Sequence, residues 1–176
     1  PSYYNPANLT TNATPASGSI LSEFFTIPPT GGGFPIADPP VEIGRAYTDG
    51  YWSLIGKNEF ASGNFNVNIR AEGFDDSIHD NTRVIKRIAG DDWIIDGTHQ
   101  DADTVNRIFY RNNLTGSISS LGTQFALGRA RPLIVDHPHD TTVCEETNPE
   151  FTVIATGTPA LRYTWYKVAI PPDIEI

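Results

Sequence analysis

The residues best equipped for chemistry are aspartates. Asp75, Asp76 and Asp80 crowd one short segment, Asp91, Asp92 and Asp96 a second, and Asp101 and Asp103 a third. Carboxylates packed into loops suit Ca²⁺, which takes about six to eight oxygen ligands. No segment carries the spacing of an EF-hand loop, so solvated acidic loops are the expectation. Asp75, Asp76 and Asp80 are the candidate Ca²⁺ ligands, and no other cofactor is expected. His137 and His139 lie beside Asp136 and Asp140. Residues i and i+2 of a strand share a face and could hold a transition metal. Pro138 between them suits a linker better. Catalysis needs more than this. The chain has no nucleophile elbow, no His-Glu-x-x-His and no phosphate-binding glycine loop. Paired carboxylates for glycoside hydrolysis are set by space rather than sequence, and nothing else points to an enzyme. The expectation is a non-enzymatic chain.

Aromatic residues offer binding instead. Tyr51-Trp52, Phe109-Tyr110 and Trp165-Tyr166 are adjacent pairs. Neighbours on a strand face opposite ways, so one of each pair faces outward. An outward tyrosine can stack on a sugar ring, with CH groups against its π face. Tyr51 and Tyr110 are the glycan-stacking candidates. Packing across strands is the competing role.

The elements that must position these residues are strands. Phe65, Val67, Ile69 and Ala71 alternate with Asn66, Asn68 and Arg70, the period-2 signature of a half-buried strand. Trp52, Val84, Ile85, Trp93 and Phe125 are its expected core neighbours. The outward Asn66, Asn68 and Arg70 could meet a glycan, a partner chain or water. Further strands are expected at residues 20–27, 41–47, 51–55, 82–88, 93–95, 105–110 and 124–127. Pro, Gly and Asp-Gly turn signals separate them. Residues 1–19 read as an extended or poorly ordered lead, 34–40 as a loop, 72–81 and 97–103 as polar loops, and 111–113 as a turn. Strands about ten residues apart with turn chemistry at each junction indicate an antiparallel β-sandwich. The fold class is all-β. Three regions follow: a lead, residues 1–33, with one strand at 20–27; a β-sandwich, 34–130; and a shorter region, 131–176, with strands at 133–135, 151–155 and 161–167.

The totals narrow the class. Over 176 residues the formal net charge is −9, and charged residues make up 19%. An acidic chain repels phosphate, so nucleic acid is excluded as a partner. There is no run of about 18 apolar residues to span a membrane. The start at Pro1, without Met or a signal pattern, is expected of a mature form or a fragment. The single cysteine, Cys144, leaves no partner for a disulfide within these residues.

His137-Pro138, Thr142-Val143-Cys144-Glu145, Phe151-Thr152-Val153, Ala155-Thr156-Gly157 and Tyr163-Thr164-Trp165 resemble the start of an Ig-like domain. Such domains occur in large secreted proteins of Bacteroidota. The resemblance implies an incomplete β-sandwich in which Trp165 packs in the core. It also implies that Cys144 is a disulfide half whose partner lies beyond Ile176; a buried free thiol is the alternative. Gly50-Tyr51-Trp52, the strand at 65–71, Arg83-Val84-Ile85-Lys86-Arg87, Trp93 and Phe125-Ala126-Leu127-Gly128 are similar to a β-rich module preceding such repeats. This implies an extracellular, adhesin-like, cell-surface segment associated with type IX secretion. Asp76-Ser77-Ile78, Asp103-Thr104-Val105 and Asp140-Thr141-Thr142 fit the O-glycosylation pattern of that lineage, making Ser77, Thr104 and Thr141 glycosylation candidates. The expected function is structural or adhesive, within a multimer or filament. The partners would be neighbouring domains, other surface subunits or polysaccharide. The alternative is a carbohydrate-binding module of a secreted polysaccharide-degrading protein. Half a sandwich has open edges, and residues 20–27 are a candidate donor strand for a neighbouring subunit.

Overall fold

A computed structural model describes residues 3–12, 17–75, 78–144, 147–157 and 161–166. Among them every regular element is a strand, and every pairing is antiparallel. The strands are β1 (Ala7–Thr11), β2 (Ser19–Phe25), β3 (Ile36–Asp38), β4 (Val41–Ala46), β5 (Tyr51–Lys57) and β6 (Phe65–Arg70). They continue as β7 (Arg83–Ile88), β8 (Thr98–Asp103), β9 (Ile108–Leu114), β10 (Thr123–Arg131), β11 (Leu133–Asp136) and β12 (Ile154–Thr156). No helix among them is long and apolar enough to cross a membrane.

Two sheets make the sandwich. The smaller has the order β1-β6-β9-β8. The larger is built on β10, with β7 along one edge and β4 and β5 along the other. β4 and β5 lie end to end there, interrupted around Asp49-Gly50, the turn signal in the sequence. β2 pairs β5 and β3 pairs β4. The layer between the sheets is the main core. Phe65, Val67, Ile69 and Ala71 enter it from β6 and the residue after it, meeting Trp52, Leu54, Val84, Phe109, Leu114, Phe125 and Leu127. Phe65 and Phe125 meet edge to face at 6.3 Å, an arrangement that aromatic quadrupoles favour.

Ile85 and Trp93 are not in that core. Side chains alternate along β7, so Val84 joins the main core while Ile85 faces the other way. Ile85, Trp93 and Ala126 form a second cluster, covered by Phe34, Ile36, Tyr51 and Ile95. The cover is a strap after β2. Trp93 Nε1 and Arg87 Nη1 both donate to Thr30 O, at 2.8 and 2.6 Å, and Trp93 N donates to Gly32 O at 3.1 Å. The Arg87 guanidinium lies 4.3 Å from the Trp93 ring centre. Gly33 has φ +93°, and a Cβ there would stand 2.4 Å from Trp93 O. The glycine run is therefore a fitted strap, and the boundary expected at residue 33 falls inside packed structure.

The lead is also built in. β1 pairs β6 from Ala7↔Ile69 to Thr11↔Phe65. Leu9 packs on the core, and Trp52 Nε1 donates to Asn5 O at 2.8 Å. The expected donor strand is occupied: β2 pairs β5 along its whole length. The loop at 34–40 contains β3, and the polar loop at 97–103 is mostly β8. The strand expected at 105–110 begins at Ile108 and runs through the supposed turn at 111–113. β10 runs on to Arg131, past the first residues of the expected boundary. Beyond it, β11 and β12 form a two-stranded sheet. Residues 161–166 carry no strand, and Trp165 is 58% exposed, 6.2 Å from Phe151. Residues 167–176 lie outside the described residues.

Candidate functional site

The smaller sheet turns one face to the core and the other to solvent. On β6 the inward row is Phe65, Val67 and Ile69, leaving Asn66, Asn68 and Arg70 outside. On β1 Ala7 and Leu9 pack inward, leaving Asn8 and Thr10 outside. On β9 Phe109, Arg111 and Leu114 are buried, leaving Tyr110 and Asn112 outside. On β8 Thr98 and Gln100 are exposed on either side of His99.

Register turns these into rows. Asn8 stands opposite Asn68, Asn68 opposite Tyr110, and Tyr110 opposite Gln100, so one row crosses all four strands. In the next row Thr10 faces Asn66 and Thr98 faces Asn112. The amides hold one another. Asn8 Nδ2 donates to Asn68 Oδ1 at 2.9 Å, and Asn112 Nδ2 to Gln100 Oε1 at 2.6 Å. Asn113 N donates to Asn66 Oδ1 at 2.8 Å. Each amide so fixed keeps further donors or acceptors for a ligand. The Tyr110 ring is half-buried in the middle of the first row. None of these eight side chains carries a carboxylate, an imidazole or a cationic group. The Arg70–Glu72 ion pair lies at the edge of the face. The arrangement suits the binding of hydroxyl-rich, uncharged matter.

Beneath this face lies a buried charged cluster. Arg111 points inward from β9 and is 1% exposed. It grips Asp38 of β3 with two nitrogens, Nη1 to Oδ2 at 2.7 Å and Nη2 to Oδ1 at 3.2 Å. Its Nε and Nη2 also donate to Asp96 O and Gly97 O, at 2.8 and 2.9 Å. Arg83 of β7 brings Nε to 3.0 Å from Asp38 Oδ2, off the hydrogen-bond axis, and donates from Nη1 to Asp80 O at 2.8 Å. One carboxylate thus joins both sheets. His99 lies across from Arg111, and its Nε2 is 3.9 Å from Asp101 Oδ1.

Burial, and then the Arg83 charge against the attraction of Asp38, pull the His99 pKa below its ordinary value of 6.5. Burial lowers that of His79 as well. Between a lowered native value and 6.5 the unfolded chain binds more protons, so stability rises with pH there. The melting temperature is therefore expected to fall from pH 7 to pH 5. His99→Gln should lose part of that dependence. A flat profile across this window contradicts the assignment. Below it, Asp96 adds a second loss. Burial raises its carboxyl, but hydrogen bonds from Lys86 and Thr115 outweigh this and hold it below the usual range. That contribution disappears as pH falls through the carboxylate range.

The other sequence candidates are scattered. Tyr51 and Tyr110 lie on different sheets, facing away from each other. Tyr51 packs on the second cluster and stacks on Phe25 at 5.0 Å and 14°, the competing packing role for this glycan-stacking candidate. The loop after Phe74 has its carbonyls bonded by guanidinium groups. Arg107 Nη2 donates to Phe74 O at 2.6 Å, and Arg83 Nη1 to Asp80 O. These oxygens face cations of the protein's own. Among the described residues no three His, Cys, Asp or Glu side chains gather to hold a metal; Asp76 and Ser77 lie outside the described residues. His139 Nε2 lies 3.5 Å from Asp136 Oδ1 on an exposed segment. Thr104 is exposed in the β8–β9 turn, next to Val105, which is 90% exposed. Thr141 and Cys144 are both exposed.

A groove of about 440 Å³ beside β7 is lined by Lys86, Arg87, Asp91, Asp92 and Thr115. Its cations are engaged, Lys86 with Asp96 and Arg87 with Gln124 and Thr30 O. The four-stranded face therefore remains the candidate site. Of its residues, Asn66, Asn68 and Tyr110 were visible in the sequence. Asn8, Thr10, Thr98, Gln100 and Asn112 were not. No family model, curated protein or solved structure matches this chain.

Proposed function

We propose that this chain is a non-enzymatic adhesive segment of a large extracellular surface protein. The observation that carries the reading is the pair of uncharged rows across the smaller sheet. In a chain of net charge −9, two rows of uncharged side chains, one of them crossing all four strands, form a surface suited to contact, with the Arg70–Glu72 ion pair at its edge. The region after β10 supports assembly with neighbouring domains. Leu133, Ile134, Val135, Phe151 and Ile154 are exposed around the two-stranded β11–β12 sheet. Apolar side chains gathered beside open strand edges favour burial against another domain or subunit. The resemblance of its sequence to Bacteroidota surface modules supports the reading of a segment outside the cell, beside Ig-like repeats.

Adhesion under flow tests the reading. Beads carrying the chain are washed over surfaces coated with polysaccharides or with extracellular proteins. Retention is expected on at least one, with most of it lost in the Asn68→Asp, Gln100→Glu double variant. Retention on none, or equal retention of the variant, overturns it. Tyr110 at the centre of the face favours a second reading, a carbohydrate-binding module of a secreted polysaccharide-degrading protein. That reading expects a fused polysaccharide hydrolase to gain activity on insoluble substrate.

A further inference from the structure

We infer that the row Asn8–Asn68–Tyr110–Gln100 binds an uncharged polysaccharide laid across the strands, with the Tyr110 ring beneath a central sugar. This rests on the adhesive reading and names its ligand. Three observations carry it.

The first is charge. The two rows hold amides, hydroxyls and one phenol, and the chain around them is acidic. Anionic chains would meet repulsion and find no cation in the rows. A neutral chain loses nothing to either.

The second is shape. The row runs from one edge strand to the other, with no wall at either end of the sheet, so it suits the interior of a long chain rather than one terminal sugar. Neighbouring strands are about 4.8 Å apart, so four strands span about 14 Å, room for a few consecutive sugar rings.

The third is preorganisation. Asn8 fixes Asn68 and Asn112 fixes Gln100 before any ligand arrives. The unused Asn68 nitrogen, Asn8 oxygen and Gln100 nitrogen then meet hydroxyl groups with less ordering cost than free side chains. Tyr110 stands opposite both Asn68 and Gln100, so its ring supplies an apolar platform between two hydrogen-bonding groups.

Electrophoresis of the whole chain through gels containing a soluble polysaccharide tests this. The neutral probes are hydroxyethyl cellulose, xyloglucan and galactomannan; alginate is the anionic control. Retardation by at least one neutral polymer, and not by alginate, is expected. Tyr110→Ala should weaken it about tenfold or more, and Tyr110→Phe should keep it. Asn8→Ala and Gln100→Ala alter exposed side chains on the two edge strands, so they read the site even if Tyr110→Ala fails to fold. Each should weaken binding severalfold. No retardation in any neutral gel, a preference for alginate, or unchanged retardation of both edge variants overturns the inference. Beads retained on protein-coated surfaces but on no polysaccharide would overturn it too, while leaving the adhesive reading standing.

Discussion

Replacing Asp38 with alanine is expected to cost about 3–5 kcal/mol of stability, the usual result of leaving a buried charge without its partner. Asp38 is the shared anion of Arg83 and Arg111, whose side chains are 4% and 1% exposed. Neither guanidinium can turn to water without opening the corner where β7, β9 and β3 meet. Both would keep their carbonyl contacts, to Asp80 O, Asp96 O and Gly97 O, so the loss is of charge balance rather than of every hydrogen bond. Urea unfolding of Asp38→Ala should give a midpoint well below that of the native chain. The melting temperature should fall by about 6–20 °C, taking about 2–4 °C per kcal/mol at this size. Asp38→Asn keeps the shape and loses the charge, so it should fall between. A change under about 1 kcal/mol would mean that water reaches the cluster, and that the carboxylate does not hold the two sheets together.

The second large effect is expected from removing residues 1–12. Read as a lead, the segment is dispensable. In the structure its loss strips β1 from β6 and uncovers the core beneath the partly buried Leu9, worth part of the about 1.5–3 kcal/mol of a fully buried leucine. It also leaves the buried Trp52 N–H without its acceptor, a further cost of about 1–3 kcal/mol. Asn5 is lost as well; its side chain accepts from Glu72 N at 2.7 Å and donates to Glu72 O at 3.2 Å. The truncated chain is expected to unfold at much lower urea, or to associate through the exposed edge of β6. An unchanged urea midpoint would return the segment to the status of a lead. The truncation also deletes Asn8 and Thr10, so a folded product should still bind glycan more weakly.

Sequence and structure agree where one face of a strand is apolar and the other polar. Residues 65–71 have that pattern, and β6 is there. The disagreements have a shared physical cause. β8 and β9 turn His99 and Arg111 toward the interior as register partners. A buried cation paired with an aspartate from another strand hides the apolar alternation, so Gly97 to Asp103 read as a loop and Arg111-Asn112-Asn113 as a turn. Asp38, the residue that makes this burial tolerable, is 73 positions away in the chain. No local pattern connects them. β1 was missed for another reason: its inward residues, Ala7 and Leu9, are too few to mark a strand. The amide face is assembled from the two middle strands, partly legible, and two edge strands, which were not. Val84-Ile85 and Tyr51-Trp52 show the converse. A sheet covered on both sides buries consecutive residues, so Ile85, expected against the 65–71 strand, and Tyr51, read as outward, both serve a second cluster.

The most direct measurement is the amide spectrum of the ¹⁵N-labelled chain during titration with a neutral oligosaccharide cut from whichever polymer retards it. The side-chain NH₂ signals of Asn8, Asn68, Gln100 and Asn112, and the backbone signals around Tyr110, are predicted to move together along one binding curve. Shifts gathered around Phe25 and Tyr51 on the larger sheet, or no shifts at saturating sugar, would contradict the account.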